Sequence, residues 1–175
     1  NNLQLMSALI EMQLQTERDM VPMSEFARLG NNIQALAVIH DILTLQSKVG
    51  GEAQLIPIKA VLERLLATLQ STIHGRQLRS SLGDVRLPAK HVTSLALITN
   101  ELVSNAVKHG IGDVDLHLFR DGSNMTLTVS DDGRGFPASF NPETDANTGI
   151  ELVLNIARYD LNGVASFTNR EPSGA

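Results

Sequence analysis

The hydrophobic period of the chain changes at Gly50-Gly51, and no single regular structure satisfies both halves. Before that point apolar residues recur at helical steps. From Leu3 to Leu14 they fall at positions 3, 5, 6, 9, 10, 12 and 14, which predicts a helix with a wide apolar stripe. Pro22 and Ser24 interrupt the pattern, and a second helix follows with a heptad-like seam through Phe26, Leu29, Ile33, Leu36, His40 and Leu43. A second stripe through Ala35, Val38, Ile42 and Leu45 gives this helix two apolar faces. A two-helix hairpin cannot bury both, so a second copy is expected to complete a four-helix bundle.

Beyond Gly50-Gly51 helical and alternating periods mix, which predicts an α+β unit. A short strand-like piece from Ala53 to Ile58 leads into an amphipathic helix ending near Ile73, and an alternating stretch runs from Gln77 to Leu87. Pro88 stands where a first-turn proline would, opening a helix that runs to Gly110. Val114 to Phe119 and Met125 to Val129 alternate on either side of the turn-forming run Arg120 to Asn124 and predict a hairpin. The Gly/Pro/Asn-rich stretch from Asp131 to Asn147 is too long for a plain connection, which marks it as functional. A helix from Gly149 to Leu161 and a strand from Val164 to Thr168 are expected to finish the chain.

The overall balance excludes several classes. With 42% hydrophobic and 19% charged residues, the 175-residue chain can build a sizeable core. Its net charge of −5 is spread without a Lys/Arg cluster, and five Phe, one Tyr and no Trp leave few platforms for stacking bases, so no nucleic-acid partner is expected. Cysteine is absent, which removes disulfides, thiolate metal sites and a Cys nucleophile and suits a reducing cytoplasm. No apolar run approaches the ~18 residues of a membrane span, so no direct membrane contact is expected from this piece, although a longer protein could be anchored. The start at Asn1-Asn2-Leu3-Gln4, already inside an amphipathic pattern, reads as the interior of a longer chain.

Three blocks carry chemistry. Within Asn100 to His109, Glu101, Asn105 and Lys108 fall on one helical face and present a carboxylate, an amide and an ammonium to one volume. That trio suits a Mg²⁺-phosphate group, and it is equally the polar face of an ordinary half-buried helix. Immediately after a strand, Asp131-Asp132-Gly133-Arg134-Gly135 offers a carboxylate that can accept from a base amino group and two glycines that let backbone approach a ligand; an ordinary polar turn has the same composition. Asn147-Thr148-Gly149 opens the last helix, where free N–H groups favour a phosphate and where Thr148 also serves as a plain N-cap.

In this order and spacing the blocks resemble the N, G1 and G2 boxes of the GHKL ATPase superfamily, which includes histidine kinases, type II topoisomerases and MutL. The resemblance spans Leu55 to the end and implies an α/β sandwich that holds ATP under a mobile lid. It implies that Asn105 ligates Mg²⁺, Asp131 binds the adenine amino group, Gly133 and Gly135 shape the pocket, Thr148 supports the adenine side, and Gly149 and Lys108 lie near phosphate. His109, at the helix end, either serves phosphate or caps the helix dipole. Glu101 matches the residue that activates water in the hydrolysing members, and in a kinase is expected to orient the Mg²⁺ shell or polarise the nucleophile. Glu151 departs from the family pattern, standing where the G-x-G-L segment has its second glycine.

Asn1-Asn2-Leu3-Gln4 is similar to the continuation of the H-R-x-K-N-N-L-Q acceptor motif of histidine kinases related to the HWE group, and Ala35 to Leu43 to their second bundle helix. The resemblance implies a dimerisation and phosphotransfer hairpin over 1–50, an ATP-binding catalytic domain over 51–175, and an acceptor histidine upstream of Asn1. A homodimer and a response-regulator receiver domain are the implied partners, and the expected activity is that of an ATP-dependent protein histidine kinase. His40 lies on the second helix and is expected to be a bundle histidine; His74, His91 and His117 are expected to be packed or solvated. A nucleotide-binding scaffold without phosphotransfer and an anti-sigma-type serine kinase are the competing expectations.

Overall fold

The computed structural model describes residues 23–47, 55–73, 75–170 and 174. The predicted helix over Leu3 to Leu14, the boundary at Gly50-Gly51 and His74 lie outside the described residues, as do the side chains of Phe26, Ile42, Leu43 and Leu45. The described elements are α1 (Met23–Ser47), β1 (Ile56–Pro57), α2 (Ile58–Thr72), β2 (Leu78–Leu82), β3 (Arg86–Leu87), α3 (Ala89–His109), β4 (Val114–Asp121), β5 (Asn124–Ser130) and α4 (Thr148–Asn155), which continues as a π-helical turn through Ile156–Asp160.

A three-stranded sheet in the order β2-β4-β5 forms the platform, with β2 parallel and β5 antiparallel to β4. A parallel pair requires a crossover, and α3 supplies it between β2 and β4. Strand β4 buries Val114, Leu116 and Leu118 while His117 and Phe119 on its other face stay exposed. Helices therefore cover one face of the sheet and the other stays open, giving a two-layer α/β sandwich. Strands β1 and β3 pair antiparallel as a small second sheet.

The largest core cluster joins Ile58, Val61, Leu62 and Leu65 of α2 to Val92, Leu95 and Ala96 of α3 and Leu118 of β4. Ala35 and Ile39 of α1 belong to it, and Leu36 packs with Leu97 and Ile98 of α3 beside Leu152, Val153 and Ile156. At ~1.5–3 kcal/mol for each large aliphatic buried, these clusters dominate the fold's stability. One stripe of α1 is thus buried within its own chain, against α3. On the seam expected to face a bundle, Leu36 is buried with it while Ile33 and His40 are exposed.

The predicted strand from Val164 to Thr168 has no ladder partner among the described residues. The segment is held instead by side chains. Phe167 meets Phe136 edge-on and Phe140 likewise, with ring centroids 5.8 and 6.4 Å apart, and Phe136 and Phe140 stack at 4.5 Å.

Candidate nucleotide site

Helix α3 begins just past Pro88 and ends at Gly110, as its sequence signals require. Most of its length is apolar and buried, but Asn100 and Glu101 are buried as well, at 2% and 0% exposure. Buried polar groups persist only when paired, and both are paired through Asn32 of α1, itself 1% exposed. The Asn32 amide nitrogen donates to Glu101 Oε1 at 2.5 Å, and the Asn100 amide donates to Asn32 Oδ1 at 2.7 Å. The Arg28 guanidinium stands 3.6 Å from the same Glu101 oxygen.

The polar face read from the sequence is therefore graded: Glu101 is buried, Asn105 half-buried, and Lys108 exposed at the helix end beside His109. Gly149, in the first turn of α4, sits directly over this face. A Cβ there would lie 2.6 Å from Glu101 Oε2, 3.3 Å from Asn147 Oδ1 and 3.7 Å from the Asn105 amide nitrogen. Glu101, Asn105 and Gly149, distant in sequence, are brought together. The N-cap of α4 is Asn147, whose Oδ1 accepts from the Ile150 N–H at 3.0 Å, so Thr148 is not the capping residue. Thr148 occupies the first helical position, and Glu151 is exposed.

At the far end of α3 a second set converges. Asp131, 8% exposed, follows β5, and its Oδ1 accepts from the Gly133 N–H at 2.6 Å. Gly110 lies against the same carboxylate so closely that a Cβ on either glycine would strike Asp131, and a Cβ at Gly133 would also come within 2.8 Å of Gly110 Cα. The two glycines leave room for the carboxylate where a side chain would displace it. Gly135 adopts φ 71° and packs on Asn169. Asn169 fastens the loop by accepting from Phe136 N–H at 2.6 Å and donating to Phe136 O at 2.9 Å.

One positioning residue escaped the sequence reading. Arg76 reaches across to donate to Val107 O at 3.0 Å, Gly110 O at 3.1 Å and Ala106 O at 3.3 Å, and to Gly112 O. It thereby satisfies carbonyls that a helix C-terminus leaves open. The helix end that seats Asp131 is thus pinned by a guanidinium from the strand side.

Among the described residues no group of three or more His, Cys, Asp or Glu could hold a metal ion. Magnesium on a triphosphate takes most of its ligands from phosphate and water, so a single amide oxygen from Asn105 fits such an ion. No helix among the described residues is long and apolar enough to cross a membrane.

Comparison with known proteins decides the family. Residues 90–175 match the family described as "Histidine kinase-, DNA gyrase B-, and HSP90-like ATPase", and residues 1–73 match a second family described as "Histidine kinase". The chain belongs to the histidine kinases. Relatives include the sensor histidine kinase PdtaS of Mycolicibacterium smegmatis, 27% identical over 175 residues, and its namesake in Mycobacterium tuberculosis, 24% identical over 183 residues. These alignments cover 93% and 99% of the chain but 34% and 36% of the relatives, so the chain spans about a third of their length. The solved histidine kinase domain of the Erythrobacter litoralis blue-light activated kinase superposes with a TM-score of 0.66 at 21% identity, covering 89% of this chain and 84% of that one. Full-length ShkA in complex with AMPPNP superposes with a TM-score of 0.50 at 17% identity, covering 90% and 39%. At these identities the histidine-kinase fold is what the solved structures share with this one.

Proposed function

We propose that this chain is the catalytic part of a sensor histidine kinase that binds Mg-ATP and transfers the γ-phosphoryl group to a histidine upstream of Asn1, for relay to a receiver-domain aspartate. The observation that supports this most is the pair of sets built on one helix: Glu101, Asn105 and Gly149 on one turn, and Gly110 with Asp131 and Gly133 about 7.5 Å further along the axis, at ~1.5 Å per residue. A purine held by Asp131 and a phosphate chain at Asn105 and Gly149 would span such a separation. Histidine kinases as a family dimerise and signal to response regulators, which supports a homodimer through the N-terminal helices.

In this reading Asp131 accepts from the adenine amino group with the carboxylate oxygen that Gly133 leaves unused. The free N–H groups opening α4 and the Lys108 ammonium receive phosphate oxygens. Asn105 would hold Mg²⁺, which when bound neutralises charge on the phosphates. The acceptor imidazole attacks the γ-phosphorus with its nitrogen lone pair; the N–P bond forms, the P–O bond to the β-phosphate breaks, and ADP departs with the electron pair. The phosphorylated ring then releases its remaining N–H proton to solvent. Glu101 is assigned to polarise the approaching imidazole.

Glu151 stands where the family pattern has a glycine, and a carboxylate aimed at the phosphates would repel them. Its exposure at the outer side of α4 supports a working site over a scaffold that has lost turnover.

The test is phosphorylation of the full-length protein with Mg-ATP. Acid-labile phosphate that chases onto a receiver domain, and that is lost in Asn105→Ala, is the expected result. Acid-stable phosphate would indicate a serine kinase, and tight ATP binding without phosphorylation a scaffold; either would contradict the proposal.

A further inference from the structure

We infer that Asn32 is a positioning residue for phosphoryl transfer, holding the Glu101 carboxylate so that the segment matching the "Histidine kinase" family and the ATP-binding unit share one buried polar relay. The inference rests on the proposed function, because it assigns a helper to the carboxylate that function employs.

Four observations carry it. Asn32 lies on α1, inside residues 1–73, whereas Glu101 and Asn100 lie on α3, inside residues 90–175, so the contact joins the two matched parts of the chain. All three side chains are buried to 2% exposure or less. A carboxylate can only accept, so the Asn32 amide must turn its nitrogen to Glu101 and its oxygen to Asn100, and one orientation satisfies every partner. The last observation concerns direction. Glu101 Oε1 is the oxygen taken by Asn32 and approached by Arg28, while Oε2 lies on the side of Gly149, where a Cβ would come within 2.6 Å.

The carboxylate is therefore oriented by its α1 side and presents its other oxygen towards the volume beside Asn105 and Gly149. A partial turn about the last side-chain bond of Glu101 would swing the carboxylate plane off this volume, and it is resisted by the Asn32 amide, which Asn100 holds in turn. A purely stabilising contact between the two parts of the chain needs no such directionality, and apolar side chains on α1 such as Leu36 and Ile39 already supply packing. Removal of the relay should leave ATP binding intact and reduce the rate of the chemical step.

The experiment measures autophosphorylation of the full-length protein against ATP concentration, together with Mg-ATP affinity and thermal stability. Asn32→Ala is expected to lower the maximal rate about tenfold, as loss of an orienting partner generally does, with Mg-ATP affinity changed less than about twofold. Asn32→Ser, which retains a donor hydroxyl, recovers part of that rate. The exchange Asn32→Asp with Glu101→Gln restores an amide-carboxylate pair with the charge moved to α1, and is expected to recover thermal stability but not rate because the carboxylate has left α3; what a merely structural contact would not produce is the fall in maximal rate of Asn32→Ala at unchanged Mg-ATP affinity. A maximal rate unchanged or raised in Asn32→Ala, alongside a slowed Glu101→Gln, would overturn the inference while leaving the proposed function standing. Rate and affinity falling together in proportion to stability would overturn it too. No acid-labile phosphate in the unsubstituted protein would overturn the proposed function, and this inference with it.

Discussion

Gly149 shows how little space separates the chemistry-bearing residues. A methyl at this position must displace Glu101 Oε2, and that side chain cannot swing aside cheaply because Asn32 and Arg28 hold its other oxygen. Gly149→Ala is expected to cost about 1–3 kcal/mol, the usual range for overpacking, and to weaken ATP binding, readable by melting curves with and without nucleotide. Asp131 makes a cleaner probe. An asparagine there keeps an oxygen for the Gly133 N–H but replaces the acceptor facing a purine amino group with a donor. Asp131→Asn should therefore melt like the unsubstituted protein, bind ATP about 10- to 100-fold more weakly, and lose its preference for ATP over GTP in competition titrations. Glu101, Asn105 and Asp131 were legible as candidates because their types recur at helical or strand-end spacing. Asn32, Arg76 and Asn169 were not, because their partners lie 30 or more residues away and, for Arg76 and Asn169, are backbone atoms without sequence identity.

Helix α3 and the β4-β5 hairpin were readable from local signals, Pro88 and Gly110 for the first and the turn-forming run Arg120 to Asn124 for the second. Val164 to Thr168 alternates like a strand yet forms none, because alternation records a half-buried surface and Phe167 finds that burial against Phe136 and Phe140 instead of in a ladder. The end of α3 depends on a residue outside it. Arg76→Ala leaves the last carbonyls of α3 without their guanidinium and is expected to lower stability by about 2 kcal/mol; Arg76→Lys should rescue little, since an ammonium cannot fork across several carbonyls. The β2-β4 pairing carries a pH signature. Arg79 hydrogen-bonds Asp115, its register partner, and holds that carboxyl below its ordinary value. A depressed carboxyl stabilises the fold above its unfolded value of about 4 and loses that contribution as pH falls further. The difference in melting temperature between the unsubstituted protein and Asp115→Asn should thus be present at neutral pH and shrink on acidification below about pH 4.

At the scale of the molecule, the change of period at Gly50-Gly51 announced two kinds of structure, and two family matches do divide the chain, although they meet further along, one over 1–73 and the other over 90–175. What periodicity could not reveal is that α1 lays Ala35, Leu36 and Ile39 on the α/β unit of its own chain, since an apolar stripe records burial but not its partner. That packing places Asn32 against the helix that carries Asn105 and whose C-cap, Gly110, abuts Asp131. The most direct test of that clasp is the affinity for ATP, with and without Mg²⁺, in the unsubstituted protein, Asn105→Ala and Asp131→Asn. Asn105→Ala should abolish the gain that Mg²⁺ brings while sparing binding without it, and Asp131→Asn should weaken both alike. Equal loss with and without Mg²⁺ in Asn105→Ala, or unchanged affinity in Asp131→Asn, would contradict a nucleotide held between these two residues.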